Sequence, residues 1–530
     1  MNIYLVGVIV AIAAYILIGI YAGKKVKNIN DYYVAGRNAP TLLIVGSLVA
    51  SFLSTGAFLG DTGEVYAGFF VPIVIVGVMQ ATGYLWGSCL FGRYVRRSEV
   101  LTMPEYFGKR FQSSKMRKLA SFTMVISVCA YMLSAMQGIG TLMSKITPLS
   151  YSTCIILAWI SFTLFTIYSG SMGVLLTDTI MFLVFLAAAM VAIPCISSNA
   201  GGWINAVHEL AASTDTPGIL SWHANLDYMY PDGISNIMWA VIYGIVWAMV
   251  VMVSPWQTSR YLMAKNEHTV LRSAVWASMG VMITTTMLYF GAAFVKKIQP
   301  GLVPSESMIF AAMNLMPTFI GVLFLAGILS AGISSASTFL SLIGFTITND
   351  LIDGARLEEK KRLSISRLGM LISGLVILAI AYLNPPQIFV IMYFGGTVIA
   401  CAWWPVAICS VWSKKLSKVG AFFGMLAGFC GCLLIKIYSA VTGAVLPLWA
   451  DAFVVGLVLN LIGMIVGSCL FPVTEDEKRE QKKMFVMPKA EINEKEMAKT
   501  KRTGVYYLVF SVAVAVFFLF AWALPYLGII

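Results

Sequence analysis

The chain predicts an all-α polytopic membrane protein of about fourteen transmembrane helices, and three observations carry that expectation. Apolar residues make up 59% of the 530 positions and charged ones only 11%, with a mean hydropathy of +0.84, a balance outside that of soluble globular domains. Apolar runs of the length that crosses a hydrocarbon core, about 20 residues, recur at 3–22, 41–60, 69–91, 119–142, 152–171, 173–197, 236–254, 274–295, 318–347, 368–383, 387–412, 419–441, 450–471 and 505–528. Basic residues then fall in alternate loops. With the N-terminus outside, the inner loops hold 32 of the 36 Lys and Arg, leaving Lys145, Lys296, Lys297 and Lys436 elsewhere. That asymmetry sets orientation, so both termini are expected on the outer side of the cell (inner or plasma) membrane. The net charge of +12 follows from the same bias and gives no argument for nucleic-acid binding.

The first run has no basic stretch before it and no small-residue cleavage site behind it, so it is expected to stay as a span rather than act as a signal peptide. It ends at Lys24-Lys25, and the inner loop after it contains Asp31-Tyr32-Tyr33-Val34-Ala35-Gly36-Arg37. The second run, Ser47 to Gly60, is interrupted by Ser51, Ser54, Thr55, Gly56 and Gly60. A bilayer tolerates an opened helix where the freed carbonyls line a cavity or meet an ion; close packing through small residues is the alternative. Asp61 and Glu64 beyond it are expected to be solvated outer-loop charges, with attraction of cations to an outer vestibule as the alternative.

The strongly basic inner loop 92–119 contains Thr102-Met103-Pro104-Glu105-Tyr106-Phe107, where Pro104 suits the first turn of a short interfacial helix. A tight inner turn is expected at Ser169-Gly170-Ser171-Met172-Gly173. Asp178 follows within the sixth run; an ionisable group inside a span marks a functional site unless it lies shallow enough to cap the helix in water. The acidic stretch 197–235 suits an outer loop. Pro255 ends or opens the seventh run, as a second broken helix in an inverted repeat would require. In the ninth run Ser334, Ser337, Thr338 and Ser341 share one face at i, i+3, i+4 and i+7. Neutral hydroxyls and bare carbonyls suit a monovalent cation that must bind and leave, with interhelical hydrogen bonding as the alternative. The mixed Lys and Glu segment 474–502 reads as a surface helix or solvated linker.

Taken together, these segments resemble the sodium:solute symporter family, whose bacterial members carry proline, pantothenate, monocarboxylates, sialic acid and galactose. The resemblance covers most of the chain and rests on Asp31 to Arg37 with Ser47 to Gly60, on Met103-Pro104-Glu105-Tyr106, on Thr177-Asp178, on Ser334-Ser335, and on the spacing to Asn349-Asp350. It implies a leucine-transporter-like core of two inverted five-helix repeats. On that basis 1–40 holds an extra helix and inner loop, 41–200 the first repeat, 201–235 an outer loop, 236–415 the second repeat, and 416–530 three extra helices with a charged cytoplasmic linker at 473–504. The family's sodium site, carried over, comprises Ala50, Leu53, Ala331, Ser334 and Ser335; relatives with a second sodium site imply Asp178, Ser337 and Thr338.

The implied substrate positions are Phe52, Ala57, Val76, Trp247, Val251, Pro255 and Met392. Sugar-binding positions of the galactose branch correspond to Ala57, Val76, Met79, Trp247, Val281 and Met392, and a sugar needs many directional hydrogen bonds. Trp247 and Pro255 match the proline branch in their spacing to Arg260. Phe52 and Gly56, however, stand where that branch has an aspartate and a tryptophan. The expectation is therefore a sodium-coupled symporter importing a small organic solute with a carboxylate, of monocarboxylate or pantothenate type. A proline-type amino-acid symporter is the alternative, proton coupling through Asp178 competes with sodium, and a transport-derived sensor or a channel is the reading of another class. No signalling domain follows Ile530, and no paired general acid and base suggests an enzyme.

Overall fold

Fourteen helical segments account for the fourteen apolar runs in a computed structural model that describes residues 3–24, 28–352, 357–383, 387–444 and 446–529. Lys25, Lys27 and Arg356 of the inner-loop basic set lie outside the described residues. Twelve helices are long and apolar enough to span on their own. A thirteenth span is the bent pair formed by α2 (Thr41–Phe52) and α3 (Gly56–Ala67), which meet at 49°. The remaining apolar run is occupied by a shorter helix, α6 (Tyr151–Leu164), which is not long enough to count as a span by itself.

In chain order the others are α1 (Ile3–Gly23), α4 (Phe70–Arg97), α5 (Ser114–Ile146), α7 (Gly170–Asn199), α8 (Gly233–Val253) continuing after a break as α9 (Pro255–Met263), α10 (Glu267–Ile298), α11 (Thr318–Leu351), α12 (Glu359–Leu383), α13 (Ile388–Trp412), α14 (Lys418–Thr442), α15 (Ala452–Leu470) and α16 (Glu494–Tyr526). Among the described residues there is no strand, only an isolated bridge between Ala39 and Ala264 that ties the foot of α2 to the end of α9.

Burial separates the helices by role. Most of α10, α11 and α13 is buried, whereas only a minority of α1, α12 and α15 is, and no residue of the apolar window of α16 is buried. The well-buried set forms the core, and α2 packs into it against α7, α10 and α11. Contact is close: a Cβ on Gly46 of α2 would lie 2.6 Å from the Thr179 Cα of α7.

Three breaks shape this core. At Gly170 the backbone takes φ 55° and ψ −153°, and an added Cβ would come within 2.5 Å of the Tyr32 ring; glycine alone fits that turn. At Ser254 the chain is extended (φ −58°, ψ 146°) and Pro255 starts a new helix, because proline lacks the N–H that would continue the old one. The α2–α3 break is described below. In the segment after α4, Met103–Arg110 is helical with Thr102 as its N-cap, as Pro104 suggests. The charged linker is less solvated than its composition implies: its helix Glu475–Lys483 has a capping box, and Gln481 donates to the carbonyls of Val411 and Ser413.

Candidate functional site

The broken span opens because its amides turn away from their helical acceptors. Ser54 N donates to Phe52 O (2.9 Å) rather than to Ala50 O, Ala57 N donates to Ser54 O (3.1 Å) rather than to Leu53 O, and the Ser54 hydroxyl takes Gly56 N (3.0 Å). The carbonyls of Ala50 and Leu53 thus lose their regular partners inside a fully buried segment. Thr55 fixes the break against α5 and α11. It donates to Ala135 O (3.1 Å), and Cβ atoms on Gly138 or Gly332 would fall within 2.3 and 2.8 Å of its side chain. The break is therefore held against the α11 segment that carries Ala331, Ser334 and Ser335.

Those two serines differ. Ser335 Oγ is fully buried and has no hydrogen-bond partner among the described residues, whereas Ser334 Oγ donates to Asp178 Oδ1 (2.6 Å). Asp178 is also fully buried, so it is no shallow cap. Its Oδ2 accepts from Ser47 Oγ (2.5 Å) and from Arg260 Nη2 (3.0 Å). Arg260 in turn donates to Ser47 Oγ (2.8 Å), Ser259 Oγ (3.1 Å) and Thr338 Oγ1 (2.6 Å). Ser337 Oγ turns back to Ser334 O (2.9 Å). A guanidinium thus lies between Asp178 and Thr338, two of the three side chains expected for a second sodium.

The basic-loop count assigns Arg260 to an inner loop, and here the structure corrects it: the residue is 2% exposed. The break at Ser254 restarts the chain as α9, which carries Arg260 into the protein instead of out to water. The carboxylate already expected inside the membrane was the available signal, since a buried charge needs a partner.

The substrate positions do not all converge. Phe52 and Trp247 meet edge to face at 5.8 Å, and Met392 lies against Gly56, where a Cβ would be 2.1 Å from its sulfur; these three surround the break with Tyr131, whose hydroxyl donates to Phe52 O (3.1 Å). Ala57 is buried on the α3 side of it. Val251 instead packs on Gly83 of α4, Val76 is buried elsewhere along that helix, and Pro255 lines an inner cavity with Ser47, Ser259, Arg260 and Thr338. The Trp247 Nε1–H is buried and has no partner among the described residues.

A second correction concerns the outer end. Asp61 is 6% exposed, because a π-helical segment, Gly56–Asp61, leads directly into Thr62–Ala67 and keeps the chain inside the protein past Gly60. Tyr289 of α10 donates to Asp61 Oδ2 (3.1 Å), and Oδ1 has no partner among the described residues. Glu64 is half-buried and accepts from Tyr228 Oη (2.7 Å).

At the inner end, the two distant motifs meet. Thr102 Oγ1 and Arg117 Nε each donate to Asp350 at 2.7 Å, and Asn349 Nδ2 donates to Glu105 Oε2 (3.2 Å). This cluster ties the short helix after α4 to the foot of α11.

Comparison with known proteins agrees with this architecture. The chain is 24% identical over 480 residues to the sodium/pantothenate symporter of Escherichia coli (strain K12), covering 87% of this chain and 96% of the relative. It is 26% identical over 475 residues to the osmoregulated proline transporter OpuE of Bacillus subtilis (strain 168), covering 86% and 92%. It is 22% identical over 477 residues to the sodium/proline symporter of E. coli (strain K12), covering 86% and 90%. A solved structure of a Na+-coupled sialic acid symporter, in a substrate-bound outward-open state, superposes with a TM-score of 0.74 at 18% identity over 90% of this chain and 99% of that one; at that identity the likeness concerns the fold. The profile of the sodium:solute symporter family matches residues 32–428, three quarters of the sequence. With a leucine-transporter-like fold and transporters rather than enzymes as its relatives, this chain belongs to the sodium:solute symporter family.

Proposed function

We propose that this protein imports a small organic solute bearing a carboxylate, driven by sodium bound between α2 and α11, through alternating access of two inverted repeats (41–200 and 236–415). The observation that carries the proposal is the buried Ser335 hydroxyl without a partner, on the α11 segment held against a break whose Ala50 and Leu53 carbonyls have lost their helical bonds. Unpaired buried oxygens are costly unless something binds them, and neutral oxygens suit a monovalent ion. Ala331 O and Ser334 Oγ complete the set. The free Trp247 N–H supports a carboxylate as the solute's polar group.

Asp178, Ser337 and Thr338 form a second sodium position that opens once the Arg260 guanidinium withdraws. Sodium binding favours one state over the other only through its difference in affinity for the two. The orientation that follows from the basic loops puts both termini outside.

Two measurements on full-length protein in proteoliposomes test this. Ser335→Ala is expected to raise the sodium concentration for half-maximal uptake about tenfold, the loss of about 1.4 kcal/mol of ion binding; unchanged sodium dependence would remove the site. Sodium-22 flux against solute flux is expected to give two ions per solute, and a ratio of one would remove the second position.

A further inference from the structure

We propose that Asp61 receives the cationic nitrogen of the transported solute, so that the substrate is a zwitterion rather than a simple acid. This rests on the reading above that the substrate lies beside the α2–α3 break. Asp61 stands about one turn outward from Ala57 along the π-helical segment Gly56–Asp61. The same register appears across the interface, where Gly56 faces Met392 and Gly60 faces Ile388 and Phe389, one turn earlier on α13.

The carboxylate is built for a positive group that the protein itself does not supply. It is more than nine-tenths buried, with Oδ1 unpartnered and Oδ2 held by the single Tyr289 hydroxyl. Among the described residues it has no ion-pair partner, and three of the four lysines outside the inner-loop set are committed elsewhere: Lys145 to Glu306, Lys297 to Glu209, and Lys296 over the Tyr66 ring. The neighbouring Thr62 hydroxyl donates to Phe58 O (2.6 Å). One carboxylate and one phenol are a poor set for a hard metal ion, which collects several oxygens.

The surroundings instead suit an organic cation. Gly60 packs on the Phe389 backbone; the Phe389 ring lies 4.0 Å from the Tyr393 ring, and Tyr393 lies 6.0, 5.4 and 5.3 Å from Trp239, Tyr243 and Trp247. Ring faces attract alkylammonium groups, most strongly where water is excluded. The cluster therefore links Asp61's neighbourhood to the free N–H of Trp247, with a cation acceptor at one end and a carboxylate donor at the other.

Matched ligands isolate the charge. L-Proline with cyclopentanecarboxylate, L-alanine with propionate, and glycine betaine with 3,3-dimethylbutyrate differ chiefly in the cationic nitrogen; the betaine pair separates quaternary from N–H-bearing cations. Ligand-induced thermal shifts of the full-length protein in sodium are expected to show at least one zwitterion binding about 100-fold tighter than its nitrogen-free twin, the scale set by leaving a buried polar group unpaired. Asp61→Asn should weaken that ligand at least about 30-fold while leaving the shift given by sodium alone unchanged, and Tyr289→Phe should weaken it less. Asp61→Glu, which keeps the charge, should retain more binding than Asp61→Asn and guards against a folding defect. Equal binding of a nitrogen-free twin, no binding by any zwitterion, or a lost sodium-only shift in Asp61→Asn would each overturn the proposal. A zwitterion bound through Asp61 equally well without sodium would uphold it and overturn the sodium-coupled reading instead.

Discussion

Two buried aspartates flank the break in opposite conditions. Asp178 on the inner side accepts from two serines and a guanidinium, and each of those donors belongs to a different helix. Asp61 on the outer side has one phenol and a bare oxygen. Desolvation makes an unpaired carboxylate expensive, so the chain has met that cost with its own residues at one end and left it unmet at the other. The Asp178 carboxylate is thus satisfied by donors from three helices, whereas Asp61 keeps an oxygen with no partner among the described residues.

Substitutions that should affect one end and spare the other test this contrast. The largest effect is expected from Arg260→Gln, which strands Asp178 in the core; breaking a buried pair from one side costs about 3–5 kcal/mol, visible as a large drop in thermal stability. Adding Asp178→Asn should recover much of it, and a single variant melting like wild type would erase the distinction. Next comes Ser334→Ala, which removes a hydrogen bond to a charged group worth about 1.5–3 kcal/mol and raises the sodium requirement as well. Ser335→Ala should separate the two properties, changing sodium dependence with almost no change in melting. The smallest stability effect belongs to Asp61→Asn. It removes an uncompensated charge and should leave melting unchanged or slightly raised, and a drop comparable to that of Arg260→Gln would place Asp61 among the structural carboxylates.

Much of this architecture was legible beforehand. Helix periodicity and length mark the spans, small residues mark the α2 break, Pro255 marks the second one, and an aspartate inside an apolar run marks the inner site. The two misplaced charges share a cause. Arg260 and Asp61 each follow a break, and a break looks like an end when only local composition is read; the continuing helices at Pro255 and Gly56 depend on tertiary packing that no window of residues contains. Likewise Glu105 and Asn349 read as separate motifs, since nothing local says that residues 244 positions apart share a hydrogen bond. The charged linker reads as a surface helix or solvated linker, and its anchors, such as Val411 and Ser413 for Gln481, are backbone carbonyls that leave no compositional trace.

The Asp178–Arg260 pair also bears on how the protein responds to voltage. A membrane potential acts on net charge, with about 2.3 kcal/mol per elementary charge per 100 mV, and this pair sums to zero. While it is closed, the field has no net hold on the pair itself. Voltage sensitivity at the pair then enters with any ion that reaches it, and in an Arg260→Gln protein Asp178 would stand unbalanced in the field until an ion or a proton neutralised it.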